Sequence, residues 1–292
     1  MRVLNFGSLN IDITYRVPHI VKAGETLQSR SLKYYAGGKG ANQSSALAKA
    51  GVEVFHAGKI GKDGLWLLDK LEGFGVNTEF VLCDADKTGH AVIQVSDDAE
   101  NSIVLFGGGN IEISTKDIDD ILSNFGSSDI LLLQNEVNNI PYIIQKASQK
   151  GMQIFFNPAP FTKEIIEFPL ELVDTLFINE TEGCGLAGGE EDFDKIVDIL
   201  TKIFLGKQIV LTLGEKGLIY GKDNIRHRLK AIKTKAVDTT SAGDTFIGFF
   251  IAKTVEGRPV EQALLAASKA SAIAVSRVGA MDSIPFKSEL DT

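Results

Sequence analysis

The chain is poor in several things that whole classes of function require. Its 292 residues include two cysteines, Cys83 and Cys184, which have neither metal-ligand spacing nor a neighbouring histidine. That excludes a disulfide scaffold and a thiolate metal centre. The pair read as small, semi-buried thiols, and a reducing cytoplasm is the expected compartment. The four histidines, His19, His56, His90 and His227, form no pair with metal or triad spacing and read as structural or surface residues. His90, opening a hairpin, is the nearest of them to a substrate role. Lys and Arg are scattered and the net charge is −8, which argues against a nucleic-acid partner. No apolar run is long enough to span a membrane, and the N-terminal Met1–Gly7 lacks a leader-like apolar stretch, so neither membrane nor signal peptide is expected. The phosphate-binding pattern G-x-x-x-x-G-K-[ST] occurs nowhere, and the glycines of Ala36–Asn42 lack the dinucleotide spacing.

With 44% hydrophobic and 23% charged residues, the composition is that of a soluble globular protein. The length suits one large α/β domain, or one with a small insertion. The most informative stretch is Ala236–Phe246, A-V-D-T-T-S-A-G-D-T-F. The small turn Ser241-Ala242-Gly243 precedes an apolar run, Thr245–Val255, that reads as a buried helix. Small residues at a helix start let N–H groups approach an anion, and the helix dipole favours negative charge there. Asp244 puts a carboxylate beside that anion site. Two readings stand: a helix-capping Asp, or a base that takes a proton from a substrate hydroxyl while the N–H groups hold developing phosphate charge.

Elsewhere short apolar runs alternate with helical patterns. Strands are expected at Val3–Gly7, Val54–Ala57, Ile130–Leu133, Gln153–Phe156, Thr175–Ile178 and Gln208–Leu211. Helices are expected after Gly38 to about Ala50, over Gly64–Glu72, Pro141–Lys150 and Phe193–Phe204, and from Pro259 to about Val275. Such alternation implies a parallel sheet with right-handed crossovers. Polar residues follow strand after strand: Asp12, Glu136, Asn157, Asn179, Glu182, Thr212. Several at one sheet edge make a binding site. Ala91–Val95 and Ser102–Phe106, joined by Asp97-Asp98-Ala99-Glu100-Asn101, read as a hairpin. With the irregular stretch 13–35 they point to a small β insertion over the main sheet. Gly37-Gly38-Lys39-Gly40 reads either as a glycine-rich turn or as a ligand site.

These pieces together resemble the ribokinase (PfkB) family of carbohydrate kinases over nearly the whole chain. G-G-K-G-A-N at Gly37–Asn42 and D-T-T-x-A-G-D at Asp238–Asp244 carry the resemblance. Asn10-Ile11-Asp12, Asn157-Pro158-Ala159-Pro160 and Asn179-Glu180-Thr181-Glu182 add to it. Ser241 departs from the family, which has Gly or Ala there; its backbone N–H is still present, so the anion hole is expected to survive. The resemblance implies a three-layer α/β/α core, residues 1–12, 36–89 and 107–292, with a β lid at 13–35 and 90–106 that also makes a homodimer interface. It implies an ATP-dependent kinase of a sugar, D-ribose at its 5-hydroxyl being the leading expectation. Fructose, 2-keto-3-deoxygluconate, pseudouridine and a non-catalytic sensor are the alternatives. Asn10, Asp12, Gly38, Lys39, Asn42 and Glu136 would bind the sugar. Asp244 would be the base and Ser241, Ala242 and Gly243 the anion hole. Asn179 and Glu182 would orient the triphosphate and Mg²⁺ through water. Thr212, Gly214, Gly217, Gly243 and Ser268 would line ATP. Asp238, Thr240, Ala274, Arg277, Gly279 and Ser283 would hold K⁺, mostly through carbonyls.

Overall fold

The run Ile130-Leu131-Leu132-Leu133 has no polar side, which suits a strand covered on both faces. It lies so in the computed structural model, which describes residues 1–98 and 100–290. The first half of the chain forms β1 (Val3–Phe6), β2 (Asn10–Arg16), β3 (Ser31–Gly37), α1 (Lys39–Lys49), β4 (Val54–Gly61), α2 (Leu65–Gly73), β5 (Asn77–Ala85), β6 (Gly89–Val95) and β7 (Asn101–Phe106). Then come α3 (Thr115–Leu122), β8 (Ile130–Gln134), α4 (Ile140–Gln149), β9 (Gln153–Asn157), β10 (Thr175–Ile178), α5 (Glu180–Leu186) and α6 (Phe193–Ile203). The chain continues with β11 (Gln208–Thr212), β12 (Leu218–Lys222), β13 (Ile225–Leu229), α7 (Ala242–Val255) and α8 (Val260–Val275).

Nine strands form one sheet in the order β13-β12-β11-β10-β9-β8-β1-β4-β5. It is parallel from β11 through to β5, with β12 and β13 added antiparallel at one edge. Alternation along the strands divides the core. Ile130, Leu132, Phe155, Phe177 and Val210 pack under α1, α2, α7 and α8. Leu131, Leu133, Ile154, Phe156, Ile178 and Leu211 pack under α3, α4 and α6. The result is the expected three layers. β5 and the β12–β13 hairpin were not foreseen. β5 and β13 are edge strands with polar residues interleaved, such as Arg226 and Arg228 on β13, whereas β12 carries the short buried run Leu218-Ile219-Tyr220. Both thiols are free, and Cys83 is exposed on edge strand β5 rather than half-buried as expected.

A second sheet has the order β3-β2-β6-β7. Its pairing begins where Asn10 meets Gly37 and Gly89, so residues 10–12, 36–37 and 89 belong to it. The boundaries at 12/13, 35/36 and 89/90 therefore fall inside continuous strands. Ala99, in the expected turn before β7, lies outside the described residues.

α7 is apolar all round and buried along Asp244–Ala252, as a helix between other helices must be. It crosses α1 closely: a Cβ on Gly248 would sit 2.4 Å from the Cβ of Ala46. That crossing brings two helix starts together.

Candidate active site

The first helix start is built on the end of β1. A Cβ at Gly40 would lie 2.3 Å from the Ser8 nitrogen, so only glycine lets α1 begin there, and Gly38 leads in with φ 94°. The first N–H groups of α1 are all used. Lys39 N donates to Glu136 Oε2 (2.9 Å), Gly40 N to Ser8 Oγ (3.2 Å) and Ala41 N to the Ser8 carbonyl (3.0 Å). Ser8 Oγ also donates to Glu136. Glu136 follows β8, beside β1, where the strand order reverses direction; open α/β sheets bind ligands at that crevice.

Charge concentrates here. Burial, and then the nearby Glu136, push the Asp12 carboxyl up to about 6. For Lys39, burial pulls the ammonium down, but Asp244, Glu136 and Glu182 outweigh it and hold it above its ordinary range. Lys39 is thus a permanent cation among three carboxylates. Asn10 is partly committed already, its Oδ1 accepting from Asn110 Nδ2 at 2.8 Å.

The second start, α7, is left open. Ser241 sits at its N-cap with φ 61° and makes no side-chain cap; its hydroxyl donates instead to the Ala280 carbonyl at 3.0 Å. Ala242 N donates to the Thr239 carbonyl (3.3 Å), whereas the N–H groups of Gly243 and Asp244 meet no acceptor among the described residues. The carboxylate of Asp244 is held by amides of α1: Asn42 Nδ2 donates to Oδ2 (3.0 Å) and Gln43 Nε2 to Oδ1 (2.9 Å). A cavity of about 370 Å³ opens on these groups. Lys39, Asn42, Asn179, Glu182, Thr212, Thr240, Ser241, Ala242, Gly243 and Asp244 all line it. Asn42 Oδ1, on this wall, is buried without a partner, at an ordinary cost of about 1–3 kcal/mol.

Asn179 and Glu182 also cap α5. Asn179 Oδ1 accepts from Glu182 N (2.9 Å) and Glu182 Oε2 from Asn179 N (2.9 Å), a reciprocal box that fixes both at the cavity wall. Thr212 Oγ1 donates to the Ile178 carbonyl (3.2 Å). Gly214, Gly217 and Ser268 lie outside the cavity walls. Gly217 has another reason to be glycine, since a Cβ would fall 2.0 Å from the Leu229 carbonyl oxygen on β13. Ser268 Oγ donates to its own helix at Leu264 (2.8 Å). Of the residues tied to K⁺, Asp238 accepts from Thr240 N (2.9 Å) and Gly279 N (3.0 Å), joining the two segments. Ala274, Gly279 and Ser283 supply no wall to the cavity, and the Arg277 guanidinium pairs with Glu289. Sequence reasoning missed Ser8, Gln43, Gln134 and Thr239. For Gln134 a signal existed, a polar residue closing the run Ile130–Leu133; for Gln43, its place beside Asn42.

A carboxylate and an uncapped helix start share one polar cavity. The model of the pfkB family carbohydrate kinases matches residues 2–287, and the chain belongs to that family. It is 34% identical over 291 residues to the ribokinase of Haemophilus influenzae, covering 97% of this chain and 95% of that one. The ribokinase of Cryptococcus neoformans, solved in complex with ADP, superposes with TM-score 0.85 at 36% identity, covering 99% of this chain and 98% of that one. That of Arabidopsis thaliana, complexed with ribose and ATP, gives 0.86 at 30%, with 99% and 97% covered. The protein is a carbohydrate kinase, a phosphotransferase with an alcohol acceptor.

Proposed function

We propose that the protein transfers the γ-phosphoryl group of ATP to the 5-hydroxyl of D-ribose. One observation carries the reading: the open N–H groups of Gly243 and Asp244 and the Asp244 carboxylate face the same cavity. Asp244 takes the hydroxyl proton, the sugar oxygen bonds to the γ-phosphorus, and the bridging oxygen leaves with ADP. The helix N–H groups hold the equatorial oxygens in flight, with no covalent enzyme intermediate. The sugar sits against Asp12, Lys39, Asn42 and Glu136. Of these, Lys39 and Asn42 line the cavity. The relative bound to ribose and ATP supports the choice of both substrates.

Among the described residues no group of three or more His, Cys, Asp or Glu could bind a metal directly. Mg²⁺ would be held through water by Asn179 and Glu182, which line the cavity, since magnesium keeps much of its hydration; when bound it would supply charge neutralisation on the phosphates. Asp238, Thr240, Ala274, Arg277, Gly279 and Ser283 would hold K⁺, and equal activity in sodium, potassium and no monovalent salt would count against it. The small sheet would act as lid and dimer surface. Tyr34 (60% exposed) and Val104 (67%) share one register row of it and Leu105 (66%) lies on the opposite face, and exposed apolar residues of this kind suit a covering partner. A panel of ribose, fructose, 2-keto-3-deoxygluconate and pseudouridine with ATP tests the whole; ribose should give the highest kcat/KM, and no ribose turnover would end the reading.

A further inference from the structure

Behind the cavity wall lies a line of buried polar side chains that the reaction above does not use. Asn5, Gln43, Ser44 and His56 have no exposed surface and Gln134 has 1%. Their hydrogen bonds run one way. His56 Nε2 faces the Gly7 carbonyl (3.2 Å), which can only accept, so Nε2 carries the proton. Nδ1 therefore accepts from Ser44 Oγ (2.8 Å). Ser44 Oγ in turn accepts from Asn5 Nδ2 (2.8 Å), which also donates to the Gly40 carbonyl (2.7 Å). With the Asn5 amino group so placed, its Oδ1 faces Gln134 Nε2 (2.9 Å). The same Gln134 nitrogen donates to Gln43 Oε1 (2.6 Å). That leaves the Gln43 amino group facing outward, to Asp244 Oδ1 at 2.9 Å and Asn157 Oδ1 at 3.3 Å.

Each amide has one workable orientation, because turning it would set oxygen against oxygen or N–H against N–H among buried groups. Gln134 Oε1 is left buried without a partner, so the arrangement serves two acceptors at the expense of one. The source of the polarity does not titrate near neutrality: burial holds the His56 ring down at about 4, against the opposing pull of the Gly7 bond, so it stays neutral.

We propose that Gln43 is a positioning residue for phosphoryl transfer: by donating to Oδ1 of Asp244, with its own amide oriented through Gln134 and Asn5, it fixes the plane of the carboxylate that receives the sugar proton. Asn42 holds the other oxygen, so rotation of the carboxylate is stopped at both ends and its remaining lone pairs stay toward the cavity. A base turned out of line loses rate without losing substrate, since misplacement acts on the transition state. This rests on Asp244 being the base.

The test uses Gln43→Met, of nearly the same shape without the amide, and Gln43→Glu, which keeps an acceptor for Gln134. For Gln43→Met, kcat should fall about 10- to 100-fold with the KM values for sugar and ATP within about threefold of wild type. Thermal melting establishes that the assayed protein is folded. Gln43→Glu places a second carboxylate against Asp244, and the acid limb of its kcat profile should move up by about one pH unit or more. If Gln43→Met fails to fold, that limb decides the matter. A folded Gln43→Met with unchanged kcat, or a Gln43→Glu profile matching wild type, overturns the inference. Asp244→Asn separates the two readings: if it keeps full activity the base assignment itself has failed, whereas a dead Asp244→Asn beside active Gln43 variants removes only the role of Gln43.

Discussion

The two helix starts that meet at the site, α1 at Gly38 and α7 at Ser241, stand on similar turns of small residues with positive φ and are finished differently. At α1 every early N–H is spent on Ser8 or Glu136, and what faces the cavity is side chains, Lys39 and Asn42. At α7 no side chain caps the turn, and the N–H groups of Gly243 and Asp244 stay open to the cavity. A satisfied start is a fixed platform for the side chains around it. An unsatisfied one carries a standing demand for an anion. The protein keeps the second from being capped by its own sequence, and places its one charged residue there, Asp244, under the amides of α1.

Four experiments would break or sharpen that contrast. Removing the charge at the open end should matter most: Asp244→Asn is expected to lower kcat about 10²- to 10⁴-fold while sugar and nucleotide still bind, read by steady-state kinetics and calorimetry. Next, Gly243→Asp makes α7 resemble α1 by supplying a carboxylate to the bare N–H groups. No atom lies within 4 Å of the new Cβ. Stability should rise by about 0.3–1 kcal/mol as the dipole is complemented, while KM for ATP rises about tenfold or more as that charge meets phosphate. A lower melting temperature with unchanged KM would contradict the open-end argument.

The third experiment addresses the α1 side. Asp12, pushed up to about 6 by burial and Glu136, is ionised above that pH and protonated below it. Sugar hydroxyls donate to the ionised form, so KM for the sugar should climb as pH falls through about 6, and Asp12→Asn should flatten the dependence. Lys39, held above its ordinary range, adds no opposing limb near neutrality. The smallest effect belongs to Ser241→Gly. Relief of a non-glycine residue at φ 61° is worth roughly 1 kcal/mol, and the lost bond to Ala280 a similar amount of opposite sign. Denaturation midpoints should therefore nearly coincide.

Much of this could be read from residue order. Ile130–Leu133 announced a doubly covered strand, and Asp238–Asp244 announced a small-residue helix start with a carboxylate in its first turn. What escaped was of two kinds. Edge strands β5 and β13 carry interleaved polar residues because one side meets water, and that pattern resembles loop. Gln43 beside Asn42 and Gln134 closing Ile130–Leu133 gave a hint of their place, but their burial shows only once their neighbours are known. Gly217 has a reason to be glycine that residue order did not show, the close approach of β13.

The order of residues by itself settled the layered α/β class, the two small-residue helix starts and the chemistry each could offer, because these follow from periodicity and from backbone groups that every helix end exposes. Only the folded chain decided that Asn42 and Gln43 would grip a carboxylate up to 202 positions away. That outcome depends on α1 and α7 crossing at Ala46 and Gly248, a contact between surfaces whose fit no local pattern encodes.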